Sequence, residues 1–422
     1  MSAAGQLEHV FRHEYGKLVA MLSRRVGVQS IEAVEDAVQS ALMSGLEAWT
    51  KTGIPDNPTA WLFRVAHNNL ISECRQRANR LQILEQSAEE PLVTARDFDT
   101  DHSLAGEVND DLLRMLFTCC DEAIPTESQL VLALKVLCGF SIGEIAHRLF
   151  ASEANVYKRL GRARSRLQQM PNLTGELNNH HYASRLPAVH KILYLLFTEG
   201  HLSSHTETAI RKELCDEAIR LTLILAQHPV GQTPQTCALL ALMHLHRARM
   251  NARQDGTGAL VLLEQQDRAL WDKHHIATGL AWLAKSAEGS QFSRYHAEAG
   301  IAAEHCLAAS LEETRWDRVV ACYALLERSA PSPIHTLNRA VAVAEWKGAA
   351  AGLAILNALE TPPWLEASYL WAAVMADLHQ RCGHVDIAAR YQTAALKGSP
   401  TSAIRTLLQR RFEDSKHTKS DS

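Results

Sequence analysis

Apolar positions recur along this chain at three- and four-residue spacing almost throughout, and the apolar-polar alternation of half-buried strands is absent. Clusters of Gly, Pro and Asn punctuate the periodic stretches, so the expected fold is all-α. The sharpest pattern is SIGEIAHRLFASEANVYKRLGRARSRLQ, residues 141–168. Ile142, Ile145, Ala146 and Leu149 space a short amphipathic helix, residues 150–152 make a turn, and Val156, Leu160, Ala163 and Leu167 space a second helix. That arrangement is a helix-turn-helix. With the apolar stripe turned inward, Asn155, Tyr157, Lys158, Arg159, Arg162, Arg164 and Arg166 fall on the other faces, with Glu153 the one acid among them. Ser152 is expected to cap the second helix and aim its first turn at a phosphate or base edge. Asn155, Lys158 and Arg159 are then expected to read a major groove, and Arg162, Arg164 and Arg166 to hold backbone. The helix pair by itself leaves a second reading open, a solvated basic helix.

Upstream, Leu7 to Arg80 forms a first helical block, broken by PDNP at 55–58. In VEDAVQSALMSGLEAW, residues 34–49, Val34, Ala37, Val38, Ala41, Leu42, Leu46 and Trp49 line one face. Glu35, Asp36, Gln39 and Ser40 cluster at the start and are expected to be exposed, an acid-amide patch suited to docking on basic helices of a partner. An acid bias serving the helix dipole is the other reading. The next helix combines Arg64, His67, Asn68, Asn69, Arg75 and Arg77 with Trp61 and Phe63. Cations for phosphate, amides for base edges and aromatics for stacking are the mix that holds a single DNA strand. Trp61 and Phe63 are expected to be half core.

From Gln82 to Asp110 helical periodicity weakens and acids dominate, which reads as an acidic linker. Leu112 to Gln168 is a second block ending in the helix-turn-helix, PNLTGELNNHH is a short hinge, and a larger helical region follows from about Tyr182. The expected domains are therefore 1–81, 82–110 as linker, 111–170, and 182–412. Trp371 to Pro400 fits a tetratricopeptide repeat when Gly383 takes the inter-helix glycine, with Ala388, Tyr391, Ala395, Leu396 and Pro400 at its small, aromatic, small, apolar and proline positions. Gly348 lies 35 residues upstream of Gly383 and Arg315 a further 33, so three diverged repeats are expected; a generic helical bundle is the alternative. Stacked helix pairs of this kind present a surface that binds protein.

A length of 422 residues with 46% hydrophobic content supports more than one domain. The formal net charge of −4 conceals basic faces at Arg64 to Arg80 and Lys158 to Arg166. The N-terminus has no apolar targeting core and no segment reaches the roughly 18 apolar residues of a membrane span, so a cytoplasmic protein with no membrane partner is expected. Nine cysteines without a CxxC pair argue against a disulfide framework or zinc site. Cys119 and Cys120 are expected to be packing residues, with an oxidation or soft-metal role as the alternative. No ligand spacing points to a metal or other cofactor, and no nucleophile-base pair or phosphate loop points to an enzyme.

Taken in order, EDAVQSALMSGLEAW, NPTAWLFRVAHNNLISECRQR and GFSIGEIAHRLFASEANVYKRLGRARSRL resemble regions 2 and 4 of the sigma-70 family, of the extracytoplasmic-function (ECF) type. LYLLFTEGHLSS, RKELCDEAIRLTLIL, SPIHTLNRAVAVAE and the last repeat resemble the subgroup with a C-terminal tetratricopeptide-like extension. The resemblance implies two small sigma helical domains followed by a helical repeat domain. It implies an initiation factor that recruits core RNA polymerase to promoter DNA, with contacts to the β′ clamp and the β flap. Glu35, Asp36 and Gln39 match positions that dock on the β′ clamp, and Trp61, Arg64, Asn68, Asn69, Arg75 and Arg77 lie in the helix matching the -10 reader. The loop from Lys51 to Pro58 matches one that pockets a flipped base, and Glu153 to Arg166, including Asn155, Tyr157, Lys158, Arg159 and Arg162, matches the -35 reader. The acidic linker corresponds to a segment that mimics nascent RNA, or is a plain tether. Relatives with this extension read CCHP where this chain has Cys119, Cys120, Asp121 and Glu122, so no role is carried to that motif. The extension is expected to bind a protein partner or the sigma domains themselves. The rival reading is a helix-turn-helix regulator with a repeat-built sensor that does not join polymerase.

Overall fold

The computed structural model describes residues 3–85, 104–149, 151–170, 179–201, 210, 212–256 and 259–417. Among them lie nineteen α-helices and a few 3-10 turns, with one isolated antiparallel bridge between Gln254 and Leu260 in place of any strand. The chain divides into two compact units, Met1–Leu193 and Tyr194–Ser422.

The first unit begins with α1 (Ala3–Val26), α2 (Ile31–Thr52) and α3 (Pro58–Glu85), which pack on one another. Ile31, Val34, Ala37, Val38 and Ala41 of α2 are buried at helical spacing, and Leu62, Ala66 and Leu70 do the same on α3. Leu18, Val19 and Leu22 of α1 complete this core. Gly53 ends α2 at φ 81°, and the Asn57 carboxamide oxygen accepts from the Ala60 amide at 3.0 Å, capping α3 ahead of Pro58. The break expected at PDNP is therefore a capped helix start.

The second half of this unit is α4 (Leu104–Cys119), α5 (Thr126–Val136), α6 (Ile142–Arg148), α7 (Glu153–Gln169) and the start of α8 (Asn179–His201). The stretch expected as linker is shorter at both ends, because α3 continues through Glu85 and α4 begins at Leu104. Residues 86–103, where the remaining linker acids lie, fall outside the described residues. Helices α1 and α4 pack directly, so the two blocks share one compact unit. Four contacts fasten them. The Arg24 guanidinium meets the Asp111 carboxylate at 3.1 Å, and the Gln29 amide donates to the Met170 carbonyl at 2.9 Å. A Cβ on Gly16 of α1 would lie 2.2 Å from the Leu137 carbonyl oxygen, so the two backbones meet where only glycine fits. The fourth contact involves Glu35 and is described below. Cys119 and Cys120 are buried, and burial pushes the Cys120 thiol up to about 12 and the Cys119 thiol well above its usual value. Both are packed, protonated thiols, while the neighbouring Asp121 is paired with Arg185.

The second unit contains α9 (Lys212–Gln227), α10 (Pro234–Ala248), α11 (Lys273–Ser286), α12 (Arg294–Leu307), α13 (Trp316–Ser329), α14 (Pro333–Lys347), α15 (Ala349–Asn357), α16 (Pro363–Glu366), α17 (Tyr369–Arg381), α18 (Val385–Gly398) and α19 (Ser402–His417). From α10 to α19 each helix packs mainly on its neighbours in the chain, the pattern of stacked helix hairpins. Gly348 at φ 93° turns α14 into α15, and Gly383 at φ 82° turns α17 into α18. Leu337, Ala340, Leu353, Leu356, Trp371, Met375 and Leu378 bury together between those two hairpins. Ala388 and Ala395 are fully buried, and Tyr391 packs against the cores on both sides of it. One stretch differs from the sequence expectation. Residues 249–256 and 259–272 leave the helical pattern and run as irregular chain with short 3-10 turns; the Asp267 carboxylate accepts from the Ala269 amide, and Asp272 ends the stretch by capping α11 on the His274 and His275 amides.

A candidate polymerase and nucleic-acid interface

Helix α7 turns Val156, Leu160, Ala163 and Leu167 into the core, each no more than 3% exposed. Ser152 sits at φ −72°, ψ 151° and its hydroxyl accepts from the Asn155 amide at 3.3 Å, which is the expected N-cap. The burial of that stripe leaves Glu153, Asn155, Tyr157, Lys158, Arg162 and Arg166 exposed along the opposite side. The helix-turn-helix therefore presents a capped, positively polarised N-terminus and three exposed cations, Lys158, Arg162 and Arg166.

Two of the expected DNA contacts are instead engaged within the protein. Arg159 is half-buried and paired with Glu127 at the start of α5. Arg164 turns away from the basic side and reaches α2, where it meets Glu32 at 3.3 Å and the Glu35 carboxylate more closely still. The reading of Arg164 as a backbone contact does not hold in this arrangement: a half-turn step from Arg162 and Arg166 carries it to the edge of the buried stripe.

The same contact corrects Glu35. Its side chain was expected on an exposed patch, yet the residue is 2% exposed, accepting the Tyr15 hydroxyl at 3.1 Å on one oxygen and Arg164 on the other. Burial, and then the Glu35 charge, holds the Tyr15 hydroxyl well above its ordinary range. A buried carboxylate so bonded is satisfied and closed to outside partners. Asp36, Gln39 and Ser40 are exposed as expected. Met43, 60% exposed, lies two helical turns beyond Asp36 on the same stripe. Sequence reasoning missed Met43, whose only signal is an apolar residue off the buried face.

On α3, Arg64, Asn68 and Arg75 are exposed, while Asn69 is half-buried and the side chain of Arg77 lies outside the described residues. Trp61 is half-buried, with its ring 5.3 Å from that of Trp49, so it is part core as expected. Phe63 stacks on His67 at 5.8 Å and lies under the Arg25 guanidinium at 5.1 Å. Burial, and then the Arg25 charge, lowers the His67 pKa, so this imidazole is neutral near pH 7. Arg25 is a cation on this face that the sequence reading did not single out. Residues 53–57 form an exposed loop ahead of α3, with Ile54 41% exposed.

The family model for sigma-70 region 2 matches residues 10–80, and that for sigma-70 region 4 matches residues 114–167. A family of unknown function (DUF6596) matches residues 185–287. An uncharacterized protein of Rhizobium meliloti (strain 1021) is 36% identical over 334 residues, covering 78% of each chain. No solved structure matches the chain. No helix among the described residues is long and apolar enough to cross a membrane. Three helices carrying an Asp36–Gln39 stripe and a basic, amide-rich α3, a capped helix-turn-helix beside them, and the two matches over those same residues lead to one conclusion: the chain belongs to the sigma-70 family of RNA polymerase sigma factors.

Proposed function

We propose that this is an ECF-type sigma factor that brings core polymerase to specific promoters and opens them, with a C-terminal unit that regulates it by binding protein. The observation that carries the reading is the exposed side of α7, with Asn155, Lys158, Arg162 and Arg166 outward from a fully buried stripe behind a working N-cap. In this reading Glu153 to Arg166 engages the -35 element, and Trp61, Arg64, Asn68, Asn69, Arg75 and Arg77 engage the -10 strand. Asp36 and Gln39, extended by Met43, dock on the polymerase clamp, and Glu35 joins them once released from Arg164. The arrangement described is then a closed one, and engagement requires α7 to part from α2.

Transcription in vitro with purified core polymerase and genomic DNA fragments, followed by sequencing of RNA 5′ ends, tests the proposal. Discrete new starts sharing upstream elements are expected. DNA binding without new starts, unchanged on removal of the residues after Asn178, would favour a regulator that does not join polymerase.

A further inference from the structure

The second unit encloses a group of donor side chains that no part of the promoter-binding machinery uses. His201 at the end of α8 lies 4.6 Å, ring to ring, from His246 on α10. Arg249 and Arg253 follow in the turns after α10, Arg268 and Trp271 come from the irregular segment before α11, and His305 sits on α12. The Arg249 and Arg268 guanidiniums lie 5.2 and 4.5 Å from the centre of the Trp271 ring, so two cations share one indole. Backbone fixes two of the arginines. Arg253 donates to the His201 carbonyl, and one Arg268 nitrogen donates to the His305 and Ala308 carbonyls, both at 2.7 Å.

What remains is a set of enclosed nitrogens that have no partner among the described residues: Arg249 Nε, Arg268 Nη2, Trp271 Nε1, and Nδ1 of His201, His246 and His305. No described carboxylate forms an ion pair with Arg249, Arg253 or Arg268. Asp255 is taken by Arg410 at 2.9 Å, and Asp216 by Arg247. The acids that reach Arg268 electrostatically, Glu312 and Glu313, are exposed. Burial, and then the neighbouring arginines, drives the imidazoles down, His246 to about 3 and His305 to about 4, and burial brings even Arg253 to about 10. Groups repelled in this way keep their charges only at a cost in desolvation that an enclosed counter-ion removes.

We propose that this cluster is a binding site for a small phosphate-class oxyanion, free or as the phosphoryl group of a small molecule. Guanidinium forks, an indole N–H and imidazole nitrogens offer donors in several directions, and a tetrahedral acceptor-only group fits such a set. The site lies on α8, α10, α12 and the irregular stretches carrying Arg249, Arg253, Arg268 and Trp271, so the ligand ties those stretches to the helices around them. The occupied state is the more stable one, which makes the second unit a sensor of phosphate-bearing solutes.

The test uses the full chain, titrated with inorganic phosphate and pyrophosphate against chloride at matched ionic strength, by calorimetry, thermal melting and tryptophan fluorescence. Saturable binding with a rising Tm is expected. Arg249→Gln and Arg268→Gln are each expected to weaken that binding at least tenfold, and Trp271→Phe to remove the fluorescence response. No stabilisation beyond that given by chloride overturns the proposal. So does binding that both arginine variants retain at full strength, since the anion would then sit on the DNA-facing cations. Should neither arginine variant fold, Trp271→Phe decides: a phosphate-dependent fluorescence change that persists in it overturns the assignment.

Discussion

Glu35 is the residue at which sequence and structure part most informatively. Its neighbours Val34 and Val38 mark the buried side of α2, and only its charge argued for exposure; the partner that permits burial, Arg164, lies 129 residues along the chain and no local pattern announces it. Replacing Glu35 by Gln leaves Arg164 with a neutral partner in a half-buried site, and we expect a loss of about 1 to 3 kcal/mol in stability by chemical denaturation. Asp36→Arg, on the exposed stripe, is expected to leave stability within about 0.5 kcal/mol and to abolish core-polymerase binding in a pull-down. Equal effects of the two substitutions on stability would contradict their different burial. The buried imidazoles give a second prediction at this scale. His190 is buried and its pKa lies at about 4, below the ordinary 6.5, so it is neutral in the folded chain and gains a proton on unfolding. The unfolded state binds more protons between those values, so this contribution to stability is intact above pH 6.5 and is lost as pH falls toward 4. His190→Phe should remove about 1 to 2 kcal/mol of the acid sensitivity measured at pH 5, in melts run in phosphate-free buffer.

At the scale of elements, helix α7 was legible almost to the residue. Four apolar positions at i, i+4, i+7 and i+11 fix which side faces inward, and Ser152, three residues past Leu149, fixes where the helix starts. What the pattern left out is direction at the edges of the stripe, where a long arginine follows whichever carboxylate it can reach. Arg159 and Arg164 went to Glu127 and Glu35, while Arg162 and Arg166 stayed on the exposed side. Arg162→Ala and Arg166→Ala are therefore expected to weaken DNA binding and to reduce the slope of log K against log salt by about 0.9 each. A slope unchanged in both variants would remove α7 from the phosphate contacts. The irregular stretches at 249–256 and 259–272 lie inside the region expected to be helical from about Tyr182; the aspartates at 267 and 272 act there through single hydrogen bonds to backbone amides, which periodicity does not register.

For the molecule as a whole, the order of blocks and the all-helical class were readable because each amphipathic face must be covered, and the glycines at 348 and 383 keep the period of the last hairpins visible. How the first two blocks meet was not readable, since Arg24 with Asp111, Gln29 with Met170 and Glu35 with Arg164 are pairs across long sequence separations. If those contacts hold the unit closed, the affinity for core polymerase is reduced by the fraction of open chains. Arg164→Ala should then tighten core binding by roughly three- to tenfold despite deleting a cation, as read by fluorescence anisotropy. Weaker or unchanged binding would show that the closed pair does not oppose assembly.

Gly16 puts that equilibrium within reach of a single codon. The Leu137 carbonyl occupies the space that any side chain at 16 would need, so a methyl group there is a wedge driven between the two halves of the sigma unit, one residue from the Tyr15 hydroxyl that Glu35 accepts. Gly16→Ala is accordingly expected to open the closed pair and tighten core binding, although position 16 supplies no side chain to promoter or polymerase.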